Sequence, residues 1–220
     1  MKETKIKGVY QEKDRLFTVN LPQCHGMKVY NERLVTVDDV EYRSWNPYRS
    51  KLAAALQKGL VLDLTPTTSV LYLGAATGTT VSHLSDIITH GIIYAVEYSP
   101  IAATKLLTVC EKRTNIIPIL EDAFHPDRYS PYVSPVDLIY QDISQRNQAE
   151  IFITNIKRYL KPDGRALLMV KARSIDVALK PKQAYEQVIN ILKKDDLIVH
   201  QKIELAPFEK DHAALLVSRK

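Results

Sequence analysis

The sequence has few cysteines and glycines and no long apolar run, and each shortage excludes a class of protein. Only two of the 220 residues are cysteines, Cys24 and Cys110, and neither lies in a CxxC pair, so no structural zinc site is expected. Seven glycines are too few for a collagen-like or glycine-rich low-complexity chain. No run approaches the roughly 18 apolar residues of a membrane span, and no apolar segment typical of a secretory signal follows Met1. The low cysteine content and the missing secretory signal favour a reducing, cytoplasmic compartment.

The helical pattern around Cys110 places that residue in the core. A disulfide bond between Cys24 and Cys110 stays open from sequence alone.

The excess of positive charge is small, with 30 Lys and Arg against 25 Asp and Glu. Such a balance permits a nucleic-acid partner without requiring one. No basic tail is present, so any contact with RNA must come from the folded surface.

The first 46 residues predict a small antiparallel β-rich domain. Apolar and polar side chains alternate over residues 17–21 and 35–37, which is the period of half-buried strands. Residues 47–220 form a second predicted domain. Asn46 is a predicted helix cap, followed by Pro47 in the first helical turn.

From residue 69 onward, continuously apolar runs alternate with amphipathic helical patterns. Continuous runs are typical of parallel strands that are covered on both faces, and their alternation with helices predicts a doubly wound α/β sheet. The last two runs have no helix between them and predict a terminal hairpin with one antiparallel strand. The runs are residues 70–73, 92–96, 116–120, 136–140 and 166–170, with the hairpin at 197–205 and 213–218.

A loop of small residues joins the first of these strands to its helix. Gly74, Ala76 and Gly78 let the backbone approach a ligand closely, and the helix that begins at Thr79 offers free N–H groups. A dinucleotide fingerprint G-x-G-x-x-G would need glycine at 74, 76 and 79, and it fails at Ala76 and Thr79. The alternative interpretation is a plain tight strand–helix turn.

Acidic residues end three successive strands of the predicted sheet: Glu97, Asp122 and Asp142. Ligands of open α/β sheets bind outside the carboxyl ends of the strands, and an acid at the end of the second strand can accept both ribose hydroxyls. Asp122, followed by Ala123, lies where its carboxylate could accept a hydrogen bond from an adenine amino group. Three carboxylates would repel a nucleotide's phosphates, so the pattern favours S-adenosylmethionine, an adenosine that carries a cationic sulfonium and no phosphate.

A lysine, Lys171, directly follows the fifth buried strand. Loss of solvent there favours the neutral amine that a general base needs, and Asp142 on the neighbouring strand end would orient it. Lys51 and His212 are further candidates. Each has a plainer alternative, since Lys51 could be a solvated helix lysine and His212 a satisfied strand-end histidine.

Six stretches of the chain resemble the fibrillarin family, the RNA 2′-O-methyltransferases of box C/D ribonucleoproteins, in its archaeal form. They are residues 42–54, 72–83, 94–99, 116–123, 141–145 and 209–213. The glycine- and arginine-rich extension of the eukaryotic members is missing. The resemblance implies a Rossmann-like methyltransferase fold with a mostly parallel seven-stranded sheet, and S-adenosylmethionine as cofactor.

The resemblance also implies site residues and partners. The expected partners are a Nop-family scaffold protein, a guide RNA, a small kink-turn-binding protein, and target rRNA and tRNA in an archaeal cytoplasm. No metal is expected, because the sulfonium already activates the methyl group. The expected catalytic residues are Lys51, Asp142, Lys171 and His212; the expected RNA contacts are Arg49, Arg146 and Arg173; and the expected cofactor contacts are Gly74, Ala76, Gly78, Thr79, Thr80, Glu97, Tyr98, Asp122, Ala123, Asp142, Ile143, Ser144 and Gln145.

Three other functions stay open on the same fold, because fold alone does not determine function. A nucleotide-dependent dehydrogenase is disfavoured by the failed glycine fingerprint. A non-catalytic RNA-binding scaffold would not need its acids and Lys171 intact. A methyltransferase for small molecules or proteins would have no use for Lys51, Lys171 and Arg173 around its acceptor.

Overall fold

The computed structural model describes residues 1–220, which form two β-sheets with helices packed against the larger one. The smaller, N-terminal sheet is antiparallel, with strand order β1-β2-β3-β5-β4. Its strands are β1 (Lys2–Glu3), β2 (Val9–Glu12), β3 (Arg15–Val19), β4 (Leu34–Val37) and β5 (Val40–Trp45). The strands predicted around residues 17–21 and 35–37 are therefore present as β3 and β4.

The two sheets share a hydrophobic core. Val9, Leu16 and Trp45 of the small sheet are buried in one cluster with Leu52 and Leu84 of the following segment. The division into two domains at residues 46 and 47 stays a prediction.

The first helix, α1 (Lys51–Gln57), begins later than predicted. Its cap is Ser50, whose Oγ accepts a hydrogen bond from the Ala53 N–H at 3.3 Å, so the prediction of Asn46 as the cap was wrong. The Asn46 side chain instead accepts from the Tyr48 N–H at 2.9 Å, a local turn that asparagine favours over helix. This later start puts Lys51 in the first helical turn.

The larger sheet has seven strands in the order β11-β12-β10-β9-β6-β7-β8. β12 runs in the opposite direction to the other six strands, which confirms the predicted parallel sheet and terminal hairpin. The strands are β6 (Val70–Leu73), β7 (Ile93–Glu97), β8 (Ile116–Leu120), β9 (Val136–Gln141), β10 (Leu160–Lys171), β11 (Leu197–Glu204) and β12 (His212–Arg219). The helices are α2 (Thr79–Ile87), α3 (Pro100–Cys110), α4 (Gln148–Tyr159), α5 (Ala172–Ile175) and α6 (Pro181–Lys194).

The strand order reverses beside β6, because β7 and β8 lie on one side of it and β9 and β10 on the other. At such a switch point the loops that leave neighbouring strands diverge and open a crevice at the carboxyl edge of the sheet. The residues that follow β6, β7, β8 and β9 meet at this edge.

A buried ionic network connects the small sheet to α2 and to the segment that follows α3. Asp86 of α2 accepts hydrogen bonds from Arg43 at 2.6 Å, Arg113 at 2.5 Å and Thr18 at 2.7 Å. Arg43 also pairs with Glu32 at 2.6 Å, and both side chains are fully buried. Burying these charges is energetically tolerable only while each one keeps a partner of opposite charge.

Both cysteines are free thiols, Cys24 buried and Cys110 only half-buried near the end of α3. Cys110 was predicted to lie in the core, and the structure places it at the edge of the core, where it is only partly buried. None of the helices combines the length and apolar character needed to cross a membrane.

Candidate functional site

A cleft of about 330 Å³ lies at the carboxyl edge of the large sheet. Ten of the residues predicted to bind a cofactor line it: Gly74, Ala76, Glu97, Tyr98, Asp122, Ala123, Asp142, Ile143, Ser144 and Gln145. Glu121 and Lys171 are also part of its wall. The structure therefore brings together the three predicted strand-end acids, which are separated by up to 45 positions in the chain.

The remaining predicted cofactor residues, Gly78, Thr79 and Thr80, do not line this cleft. Gly78 caps α2 with a φ of +88°, and a Cβ there would lie 3.2 Å from Leu106 of α3. Thr80 is buried, and its hydroxyl lies 2.9 Å from the Ser50 hydroxyl. These residues support the loop and the start of α1, and their contact with a cofactor stays a prediction.

The glycine at position 74 is required by the protein itself. Its φ is +82°, and a Cβ added there would lie 2.6 Å from the Asp142 carbonyl oxygen. Only glycine allows this backbone conformation and this approach together. The loop after β6 is thus held directly against the end of β9, where Asp142 lies.

The Glu97 carboxylate fixes the same loop from the other side. Its Oε2 accepts from the Ala76 N–H at 2.7 Å and its Oε1 accepts from the Ser99 N–H at 2.8 Å. Ala76 has a φ of +49°, an unusual conformation for alanine that this hydrogen bond stabilises. Because a carboxylate oxygen can accept more than one hydrogen bond, Glu97 can still accept hydrogen bonds from the hydroxyls of a ligand in the cleft.

Asp142 lies between two lysines at one end of the cleft. Its Oδ2 is 3.1 Å from the Lys51 Nζ, and its Oδ1 is 3.3 Å from the Lys171 Nζ. The Lys171 amine also contacts the Ser144 hydroxyl. The three charged side chains are only 15–16% exposed, so their interactions are only weakly screened by solvent.

His212 faces the same group of residues, because it pairs with Lys171 in the β10–β12 register. Its Nδ1 lies 2.6 Å from the Lys210 carbonyl. A carbonyl only accepts, so Nδ1 carries the proton and Nε2 keeps a free lone pair. Burial lowers the pKa of His212, and the charges of Lys51 and Lys171 lower it further, against the opposing effects of the Lys210 carbonyl and the Glu209 carboxylate. The net lowering of the pKa favours the neutral ring at pH 7.

Two glutamines that the sequence analysis missed hold Lys171 in place. Gln148 is fully buried and makes both backbone hydrogen bonds of Lys171, accepting from its N–H at 3.0 Å and donating to its carbonyl at 3.2 Å. The Gln141 amide donates to the Gln148 carbonyl at 2.6 Å. No sequence signal singles out Gln148, because a glutamine near a helix start is usually solvated.

The three predicted RNA contacts have different surroundings. Arg49 is exposed on the turn before α1, and Arg146 is exposed after β9. The Arg173 guanidinium is held by Asp211, with 2.9 Å between Nε and Oδ2, and by the Val177 carbonyl at 3.0 Å.

The reversed last strand, the glycine loop and the acid-lined cleft together define a class of protein. A mostly parallel seven-stranded sheet with this strand order is the fold of the S-adenosylmethionine-dependent methyltransferases.

Comparison with known proteins identifies the family. The Fibrillarin family model matches residues 1–220. A fibrillarin-like rRNA/tRNA 2′-O-methyltransferase of Methanocaldococcus jannaschii is 44% identical over 223 residues, covering 96% of each chain. Aeropyrum pernix fibrillarin, solved with natively bound S-adenosyl-L-methionine, superimposes with a TM-score of 0.88 at 42% identity, over 98% of this chain and 96% of that one. The fibrillarin of a fibrillarin/Nop5p complex superimposes with a TM-score of 0.90 at 44% identity, over 99% of this chain and 100% of that one. The chain belongs to the fibrillarin family, which confirms the resemblance in its motifs.

Proposed function

We propose that this protein is an S-adenosylmethionine-dependent RNA 2′-O-methyltransferase, acting on rRNA and tRNA at nucleotides selected by a box C/D guide RNA. The observation that carries the proposal is Asp142, placed between Lys51 and Lys171 at the end of an acid-lined cleft. The relatives support it, since one is named as an rRNA/tRNA 2′-O-methyltransferase and another binds S-adenosyl-L-methionine.

The residues of the cleft fit this cofactor. Carboxylates of Glu97, Glu121, Asp122 and Asp142 line it with Lys171 as the only cation, which favours a ligand with cationic groups and disfavours phosphates. Glu97 would accept the ribose hydroxyls, and Asp122 would accept from the adenine amino group beside the apolar Ala123 and Ile143. When bound, the cofactor supplies a methyl group that its sulfonium has already activated.

The four polar residues at the end of the cleft would act on the target ribose. A 2′-hydroxyl is a poor nucleophile until a base takes its proton. Lys171 is the proposed base, and Asp142 orients its amine. The Asp142 carboxylate contacts both lysine amines, at 3.1 Å for Lys51 and 3.3 Å for Lys171, so it fixes their positions relative to each other. Lys51 and the free Nε2 of His212 would hold the hydroxyl and its flanking phosphate.

This arrangement also argues against the other functions. A dinucleotide would place its phosphates against the carboxylates of the cleft. A non-catalytic scaffold would have no need for Lys51, Asp142, Lys171 and His212 to converge on one point.

The cofactor assignment predicts a large effect of Glu97→Ala. The variant should bind S-adenosylhomocysteine more weakly by roughly 1.5–3 kcal/mol, the size of a hydrogen bond to a charged group. Release of Ala76 from its left-handed conformation adds to the loss. Calorimetry measures it, with Glu121→Ala as the control in the same cleft, which should lose less. Tight binding of NAD with no response to S-adenosylhomocysteine would overturn the assignment.

A further prediction concerns the proposed partners, which are a Nop-family scaffold protein, the guide RNA and a kink-turn-binding protein in the cytoplasm of an archaeal cell. The modest net charge of +5 gives the isolated chain little general affinity for RNA. We expect it to methylate free RNA poorly and to gain site-selective activity in the assembled particle. Methyl transfer from labelled cofactor, with and without the scaffold and guide, tests this. Efficient selective methylation by the chain alone would contradict it.

A further inference from the structure

A second concave surface lies behind the loop after β6, outside the proposed catalytic site. It is a groove of about 480 Å³ between residues 27–30 and α3. We call it the basic groove, because four exposed cationic side chains line it: Lys28, Arg49, Lys105 and Lys112.

The charge of the basic groove is not compensated. None of its four exposed cations takes part in an ion pair, and no carboxylate is among the lining residues. The exposed Glu111 adjoins Lys112 in the chain but does not line the groove. Arg113 reaches its floor but is buried and paired with Asp86. The free cations therefore present a positive potential to solvent.

Two residues of the basic groove are close in the chain to residues of the proposed catalytic site and cofactor cleft. Arg49 lies two residues before Lys51, whose amine contacts Asp142. Thr77 lines the groove, while its neighbour Ala76 lines the cofactor cleft. The start of α1 and the loop after β6 therefore each link the groove to the proposed catalytic site.

The spacing of the cations suits an extended polyanion better than a single small anion. They come from three separate segments. Lys105 and Thr108 lie on one face of α3 at i and i+3, and Lys112 follows two residues after the end of that helix. Exposed apolar surface from Met27 lies among them, where sugars could pack. A nucleic-acid backbone presents regularly spaced phosphates to such a row of cations.

We propose that the basic groove binds the phosphate backbone of the target RNA on one flank of the methylated nucleotide. This inference rests on the proposed function, and it adds Lys28, Lys105 and Lys112 to the RNA-binding surface. Base pairing with a guide selects the nucleotide, and the groove sets the path of the strand toward Lys51.

The test uses the assembled particle and a triple variant, Lys28→Gln, Lys105→Gln and Lys112→Gln. The matched control is Lys182→Gln, Lys193→Gln and Lys194→Gln on α6, which removes the same charge from exposed lysines outside the groove. Fluorescence anisotropy with a target RNA short enough to dissociate gives the affinity at salt concentrations from about 50 to 200 mM. Single-turnover methylation at saturating RNA is measured in parallel.

The triple variant should bind the RNA roughly tenfold more weakly, and its slope of log affinity against log salt should be smaller by about 2–3, because three phosphate contacts are lost. Its single-turnover rate at saturating RNA and its affinity for S-adenosylhomocysteine should equal those of the control.

An RNA affinity and a salt slope equal to those of the control would overturn the proposal. Loss of scaffold binding by the triple variant without RNA would also overturn it, in favour of an acidic protein surface as occupant. If the wild-type particle binds the RNA with this salt dependence but transfers no methyl group, the proposed function fails while the groove assignment stands.

Discussion

Replacement of Lys171 by alanine should lower the methyl-transfer rate by the 10²–10⁴-fold that is typical for loss of a general base. Cofactor affinity should stay nearly intact, because Lys171 reaches the cleft only at the end where Asp142 lies. Single-turnover methylation in the assembled particle measures the rate. Lys171→Arg is the matched control, since it keeps the charge but cannot release a proton near neutral pH. It should be as slow as the alanine variant if Lys171 is the base.

The same experiment has a pH signature. Burial lowers the pKa of His212 below its ordinary value, so most of the deprotonation of its ring is complete by pH 7. A rate that still rises above about pH 7 would therefore argue against His212 as the base, and such a rise should be lost in Lys171→Ala. Asp142→Ala should reduce both cofactor binding and rate, while Lys51→Ala and His212→Ala should slow transfer less. A near-wild-type rate for Lys171→Ala with an inactive His212→Ala would assign the base to His212.

Asp86→Ala should destabilise the protein by about 3–5 kcal/mol, the usual cost of removing one partner from a buried ion pair. Asp86 accepts from Arg43, Arg113 and Thr18, and both guanidinium groups would remain buried without it. The free energy of unfolding is measured by urea denaturation. Asp86→Asn keeps an acceptor and should lose less, which gives a measurable value if the alanine variant does not fold.

The control for this prediction is an exposed ion pair. Asp127 lies 3.8 Å from Arg158, and their side chains are 88% and 52% exposed. Asp127→Ala should change the free energy of unfolding by less than about 1 kcal/mol. Equal losses for Asp86→Ala and Asp127→Ala would mean that the buried network does not stabilise the fold.

Local pattern explains why much of this fold could be predicted. Strands such as β6 and β8 were predicted with correct ends, because a continuous apolar run between turn residues has few other interpretations. The predicted start of β10 at residue 166 was late, since the structure begins it at Leu160. Its first residues, including Pro162 and Asp163, are too polar to resemble a buried strand.

The sequence by itself determined the βα alternation, the terminal hairpin and the convergence of Glu97, Asp122 and Asp142. This follows because parallel strands place their carboxyl ends at one edge, so acids at the strand ends must be neighbours whatever the details of packing. It also carried the family motifs.

Only the tertiary structure decided which partners the polar groups found. The Asp86 network, the Gln148 support of Lys171 and the basic groove each join side chains from segments far apart in the chain. The same is true of Gly74, whose need for glycine comes from the Asp142 carbonyl. Such contacts depend on how helices and loops pack in three dimensions, and a periodicity of two or 3.6 residues carries no information about them.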